Sequence, residues 1–182
     1  MSTTEYFQQV IDSAVMSVDV IAAALEVAAA STTQSLLGGG TLYCCAVGCD
    51  RSLAQFVADR LMYPVDVERP ALPALALTCV SSTAPEDAPW RDARALARAG
   101  DTVLCIDSSP DGQTLQHGIA AMAGRDVQFL GLTHTGINDV DSAGKYTIIA
   151  VPGDARSRLL GLQALTLNCL CHLIEQQLFG ET

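Results

Sequence analysis

Lysine is almost missing from this 182-residue chain: Lys145 stands alone, and the remaining basic residues are arginines scattered without a basic run. Lys and Arg together number 10 against 20 Asp and Glu, a formal net charge of -10. Nucleic acid binding draws on clustered cations that neutralise phosphates. The composition therefore argues against direct contact with DNA or RNA, and for the same reason against anionic membrane surfaces. Charge of either sign is scarce, at 16% of residues, whereas 49% are hydrophobic. An apolar half excludes disorder as the main state. So few charges imply more buried surface than a monomer of one domain usually hides, which favours a helical face lost into a homo-oligomer.

A basic leader is also missing. The apolar stretch 15–30 is interrupted by Asp19 and Glu26, so neither a signal peptide nor a membrane span is expected. Cysteine is plentiful but odd in number: Cys44, Cys45, Cys49, Cys79, Cys105, Cys169 and Cys171. Most sit inside apolar runs, where a thiol behaves as a small hydrophobe. The expectation is a reducing cytosol, a cytoplasmic location and no disulfide framework. Cys169 and Cys171 point to different faces of a helix. His117, His134 and His172 add no ligand spacing, so neither a metal nor another cofactor is expected.

The first 37 residues have helical periodicity. Ser2, Thr3 and Thr4 offer N-caps, Val10, Ile11, Ala14, Val15, Val18, Ile21, Ala22 and Leu25 recur near a 3.6-residue period, and a second helical piece over 28–37 ends at Gly38-Gly39-Gly40. Five short apolar runs follow, 41–46, 74–79, 102–106, 127–132 and 146–151, with helical patterns at 52–62, 90–98 and 112–123 between them and a long amphipathic helix at 155–178. Fully apolar strands alternating with helices predict a five-stranded parallel sheet covered on both faces. The expected architecture is a single α/β domain, doubly wound in three α/β/α layers. Its parts are N-terminal oligomerisation helices at 1–37, a core at 41–151 and a C-terminal helix.

Ligands of such sheets sit at the carboxyl ends of the strands. Two turns occupy that position: Ala46-Val47-Gly48-Cys49-Asp50-Arg51-Ser52 after the first strand and Asp107-Ser108-Ser109-Pro110-Asp111-Gly112 after the third. Around these turns the chain resembles the SIS (sugar isomerase) domain family, in its phosphoheptose isomerase branch, and within it the DnaA-initiator-associating members. The resemblance spans nearly the whole chain and is best at 42–46, 68–77, 99–104 and 165–174, ending in Leu178-Phe179. It implies a homodimer or homotetramer that binds the replication initiator DnaA and acts on DNA indirectly.

The resemblance also places a sugar-phosphate site at Gly48, Asp50, Ser52, Ser108, Ser109 and Asp111, and the departures from the family pattern make that site vestigial. Ala46 and Val47 replace the usual Gly-Asn. Asp50 stands where a phosphate-binding serine is usual, repelling a dianion unless Arg51 turns inward. In the second turn Asp107 takes a hydroxyl position, Pro110 takes a glycine and removes an amide donor, and Asp111 takes an asparagine. Asp111 has a plainer reading as a cap for the next helix. Isomerisation needs an acid and a base near the first two sugar carbons. The family histidines fall on Phe56, Gln163 and Asn168, the acidic pair on Asp59-Arg60, and any metal site is lost with them. Between Leu77 and Gly100 the chain is shorter than its relatives, and the polar, Pro-flanked 81–89 segment is a connection rather than a lid. No catalytic residue is assigned.

Other candidates have plain explanations. Glu86 and Asp87 are consecutive loop carboxylates, which usually point apart into solvent. His134, after the fourth strand, is the best remaining base, although a lone loop histidine is more often structural. Cys49 would be activated by Arg51 and suppressed by Asp50. Leu178 and Phe179 are candidate partner contacts, or they pack back on the N-terminal helix. The leading reading is a non-catalytic SIS protein acting through protein contacts. The alternatives are a sedoheptulose 7-phosphate isomerase with an altered site and a sensor that binds a sugar phosphate without turnover.

Overall fold

The structure is a computed structural model that describes residues 2–65, 68–78, 86–134, 146–153 and 156–180. Helix α1, Thr3–Leu37, starts in a reciprocal cap. The Ser2 hydroxyl accepts from the Glu5 amide at 3.2 Å, and the Glu5 carboxylate accepts from the Ser2 amide at 2.6 Å. The sequence divides this region into two helical pieces; the structure has one continuous helix. Neither Gly nor Pro interrupts it before Gly38, and the Ser31 and Thr32 hydroxyls donate back to the Ala28 carbonyl, so the β-branched and hydroxyl positions fit without a break. In the last turn of the helix the Ser35 hydroxyl donates to the Gly100 carbonyl at 2.6 Å, fixing the end of α1 to the base of the sheet.

Five parallel strands follow: β1 Leu42–Ala46, β2 Ala74–Leu77, β3 Thr102–Ile106, β4 Gln128–Thr133 and β5 Tyr146–Ala150. Their order across the sheet is β2-β1-β3-β4-β5. Helices α2 (Arg51–Met62), α3 (Ala88–Leu96), α4 (Gln113–Met122) and α5 (Arg156–Phe179) complete the chain. Side chains alternate across each strand. Leu42, Cys44, Ala46, Leu104 and Ile106 pack with α1, α2 and α5, whereas Tyr43, Cys45, Val103 and Cys105 pack with α3 and α4. On the second face Trp90 is fully buried, and a Cβ on Gly118 would lie 2.7 Å from its ring. Glycine there lets α4 approach the indole closely.

The C-terminal end of α5 is held by charge. Glu175 accepts from Arg60 Nη1 at 2.9 Å, from Arg69 Nε at 2.9 Å and from Arg69 Nη2 at 2.5 Å, with all three side chains largely buried. The Arg69 guanidinium also lies 6.0 Å from the ring centre of Phe179.

The N-terminal half of α1 differs from the rest. Phe7, Ile11, Val15, Met16, Val18 and Val20 are all more than half exposed. By length and composition α1 could cross a bilayer, but it carries Asp12, Asp19 and Glu26 and packs along α5 and the sheet, so it is not a clear membrane span. Between α1 and α5 runs an apolar groove of about 350 Å³, lined by Val18, Ala22, Leu162, Leu165 and Cys169 among others.

Candidate functional site

Order β2-β1-β3-β4-β5 makes the connections leave β1 and β3 in opposite directions. A crevice opens at their carboxyl ends, where ligands of doubly wound sheets bind. Both turns singled out from the sequence line it. After β1 the chain reverses at Gly48, whose φ of 59° lies in the left-handed region that disfavours any side chain, and a single 3-10 turn, Gly48–Asp50, runs straight into α2.

Asp50 does not cap α2. It is 2% exposed, and its carboxylate reaches across the crevice. One oxygen accepts from the Ser108 amide at 2.8 Å, and the other accepts from the Ser108 hydroxyl at 2.6 Å. The Cys49 thiol lies 3.6 Å from the same carboxylate. Arg51 does not turn inward: its Nε donates to the Gly48 carbonyl at 3.0 Å. The arginine that enters the crevice is Arg156, from the start of α5. Its Nε lies 3.3 Å from Ser108 Oγ and its Nη2 3.3 Å from Cys49 Sγ. Sequence reasoning missed Arg156 because it inspected only two turns. The signal was available, since the turn after β5 must end at the same sheet edge.

The second turn is closed in the same way. Asp107 is 1% exposed, and its carboxylate accepts from the Ser109 amide at 2.8 Å and the Ser109 hydroxyl at 2.5 Å. Its other oxygen accepts from the Leu115 amide at 2.9 Å, which satisfies a first-turn donor of α4. Asp111 accepts from the Gln113 amide at 3.3 Å, beside an N-cap Gly112 with φ of 63°. Ser52 lies outside this network, its hydroxyl donating to the Cys49 carbonyl at 2.9 Å. Thus Asp50 and Ser108 meet, Asp107 and Ser109 meet, and Ser52 and Asp111 serve their own turns.

Gln163, where the resemblance puts a histidine, is fully buried and donates to the Asp107 carbonyl at 3.5 Å, while its Oε1 has no partner. Phe56 and Asn168 are exposed. His134 follows β4 with a buried Nδ1 that has no partner, and its neighbours Thr135 and Gly136 lie outside the described residues. Residues 81–85 also lie outside them. Asp87 pairs with Arg94 at 3.0 Å, and Glu86 is exposed. Among the described residues no group of three or more His, Cys, Asp or Glu side chains converges to hold a metal. At the far end of α5, Leu178 packs partly against the core shared with α1, and Phe179 stays 43% exposed.

Burial pushes the thiols of Cys44, Cys45 and Cys105 well above their ordinary range, and that of Cys171 to about 12. Cys49 and Cys169 are the exposed thiols among the described residues.

No protein-family model matches the chain. It is 30% identical over 183 aligned positions to the DnaA initiator-associating protein DiaA of Yersinia pestis (strain Pestoides F), covering 95% of this chain and 93% of that protein. Among solved structures it resembles a phosphoheptose isomerase from Francisella tularensis, with a TM-score of 0.85 and 22% identity over 97% of this chain and 100% of the other. It also resembles phosphoheptose isomerase GmhA from Neisseria gonorrhoeae, with a TM-score of 0.82 and 20% identity over 95% of this chain and 96% of the other. The two isomerases establish a shared SIS fold and no more, whereas the whole-length likeness in sequence establishes kinship: this chain belongs to the DiaA family of SIS-domain proteins.

Proposed function

We propose that this chain is a non-catalytic, cytoplasmic SIS-domain protein that assembles with itself and binds the replication initiator DnaA, so regulating replication initiation without touching DNA. The observation that carries this reading is the saturation of the crevice. The Ser108 and Ser109 donors are already held by Asp50 and Asp107. Acid–base chemistry needs groups free to trade protons with a substrate, and these two carboxylates are both buried and committed. Gly48, Asp50, Ser52, Ser108, Ser109 and Asp111 are on this reading the remnant of a sugar-phosphate site.

The molecule's unmet demand lies elsewhere. Phe7, Ile11, Val15 and Val18 form an exposed stripe at helical spacing on α1, continuous with the groove against α5. An apolar patch of this kind marks a protein interface, and a second copy of the chain is the occupant we assign to it. A dimer or tetramer would present several initiator sites at once and raise the local DnaA concentration by effective-concentration logic. Phe179, exposed beside Arg69, and the partly buried Leu178 before it are the assigned initiator contacts. The net charge of -10 suits a protein that leaves DNA contact to its partner.

The test is retention of purified DnaA by the immobilised full-length chain at low salt, with the eluted complex sized by light scattering. Specific retention by a dimer or tetramer is expected. Absence of retention, or turnover of sedoheptulose 7-phosphate by the same preparation, contradicts the reading.

A further inference from the structure

We infer that the Asp50 carboxylate is a tethered occupant of an anion site, and that this one side chain keeps phosphate out of the crevice. The inference deepens the reading of the crevice as a remnant site and is independent of whether DnaA binds.

Three donors define the site. The Ser108 amide and the Ser108 hydroxyl both point at Asp50, at 2.8 Å and 2.6 Å. The Arg156 guanidinium stands 3.3 Å from Ser108 Oγ on the outer side and brings a full positive charge. A backbone amide, a hydroxyl and a guanidinium converging at a strand end are the elements that hold a phosphate oxygen. Here a carboxylate from the chain itself takes those hydrogen bonds. It does so from an unusual position: at the N-cap of α2 an aspartate ordinarily caps its own helix, yet Asp50 makes no such bond. Gln163, fully buried beneath the second turn, keeps an unpartnered oxygen. Buried oxygens left this way usually meet a donor from water or a ligand.

Two causes of phosphate exclusion can be separated. If Asp50 excludes phosphate by charge alone, a neutral side chain of the same shape restores binding. If it excludes phosphate by occupying the donors, the neutral isostere still fills the site and binding stays absent, whereas a short side chain opens it. The structure favours occupation, because both carboxylate oxygens are engaged and the group is buried.

The experiment titrates inorganic phosphate into the full-length chain by calorimetry, at constant ionic strength with chloride as the balancing anion. The wild-type chain and Asp50→Asn show no heat of binding. Asp50→Ser and Asp50→Ala bind with a dissociation constant on the order of millimolar. Adding Arg156→Ala to Asp50→Ser weakens that affinity by about tenfold. Phosphate binding by the wild-type chain or by Asp50→Asn overturns the inference, as do folded Ser and Ala variants that give no heat. Asp50→Asn preserves an acceptor for the Ser108 amide, and heat from it overturns the inference whether or not the shorter variants fold. DnaA retention, measured in parallel, is equal for wild type and Asp50→Asn. Its loss in both would count against the initiator reading alone, and a silent phosphate titration of the Ser and Ala variants against this inference alone.

Discussion

The crevice between β1 and β3 and the outer face of α1 are opposites. In the crevice the amides and hydroxyls of Ser108 and Ser109 are bonded inside the chain, to Asp50 and Asp107. On α1 the apolar side chains Phe7, Ile11, Val15 and Met16 face outward, each more than half exposed. One region has its chemistry satisfied at home, and the other has burial still to gain. A fully buried aliphatic side chain is worth about 1.5–3 kcal/mol, so four or five of them favour association strongly. The comparison teaches where burial is still to be gained, and that is the helical face rather than the sheet edge.

The largest effect that would break this contrast is on assembly. Val15→Asp places a charge in the middle of the α1 stripe. The expected outcome is a fall in mass by light scattering from a multiple of 19.1 kDa to that value, with helix content retained in circular dichroism. An unchanged mass would mean that α1 is not the interface.

The next largest effect is on stability and comes from the crevice. Asp107→Ala removes the acceptor of the Ser109 and Leu115 amides and leaves the first half-buried and the second fully buried without a partner. Each unsatisfied group costs about 1–3 kcal/mol, so a loss of roughly that size or more is expected in urea unfolding when Asp107→Ala is added to Val15→Asp, while Asp107→Ala alone leaves assembly unchanged. A variant as stable as wild type would show that the carboxylate does not hold the turn.

Thiol labelling sharpens the contrast at smaller scale. Cys49 lies at the open crevice and Cys169 in the groove between α1 and α5. In the assembled protein Cys49 reacts readily with a water-soluble maleimide, and Cys169, covered and with its thiol pushed up by burial, reacts slowly. In Val15→Asp the Cys169 rate rises and the Cys49 rate does not. Equal rates at both thiols in the wild-type assembly would contradict a covered groove.

A control driven by pH rather than by substitution reads the core that the two regions share. Cys44, Cys45, Cys105 and Cys171 keep their protons when folded, because burial raises their values above the ordinary 9.0. Unfolded thiols lose protons near that pH, so above it the folded state binds more protons and stability falls as pH rises. The slope is about 1.4 kcal/mol per pH unit for each such thiol. Stability of Val15→Asp followed from pH 8 to roughly 10.5 by urea unfolding should show this decline, and a flat profile would mean that the thiols are hydrated.

Much of this was legible in the residues. Each strand appears as an apolar run bounded by Gly, Pro or charge, and the observed strands fall within a residue or two of those runs. The crevice turns were legible because strand ends follow once strands are placed. Two things were not. The continuity of α1 depends on hydroxyls bonding back to Ala28, which a propensity argument counts as helix weakness. The partner of Asp50 depends on a contact 58 positions away, and no local pattern reveals whether a carboxylate repels an incoming anion or takes its place. Arg156, brought in from the head of α5, replaced the role that adjacency had suggested for Arg51.

The most direct test of a molecule that works through its outer face is DnaA retention measured side by side on wild type, Val15→Asp and Asp50→Asn. The expected result is strong retention by wild type and Asp50→Asn, and weak, monovalent retention by Val15→Asp. Loss of retention in Asp50→Asn with assembly intact, or no retention by the wild-type chain, would contradict it.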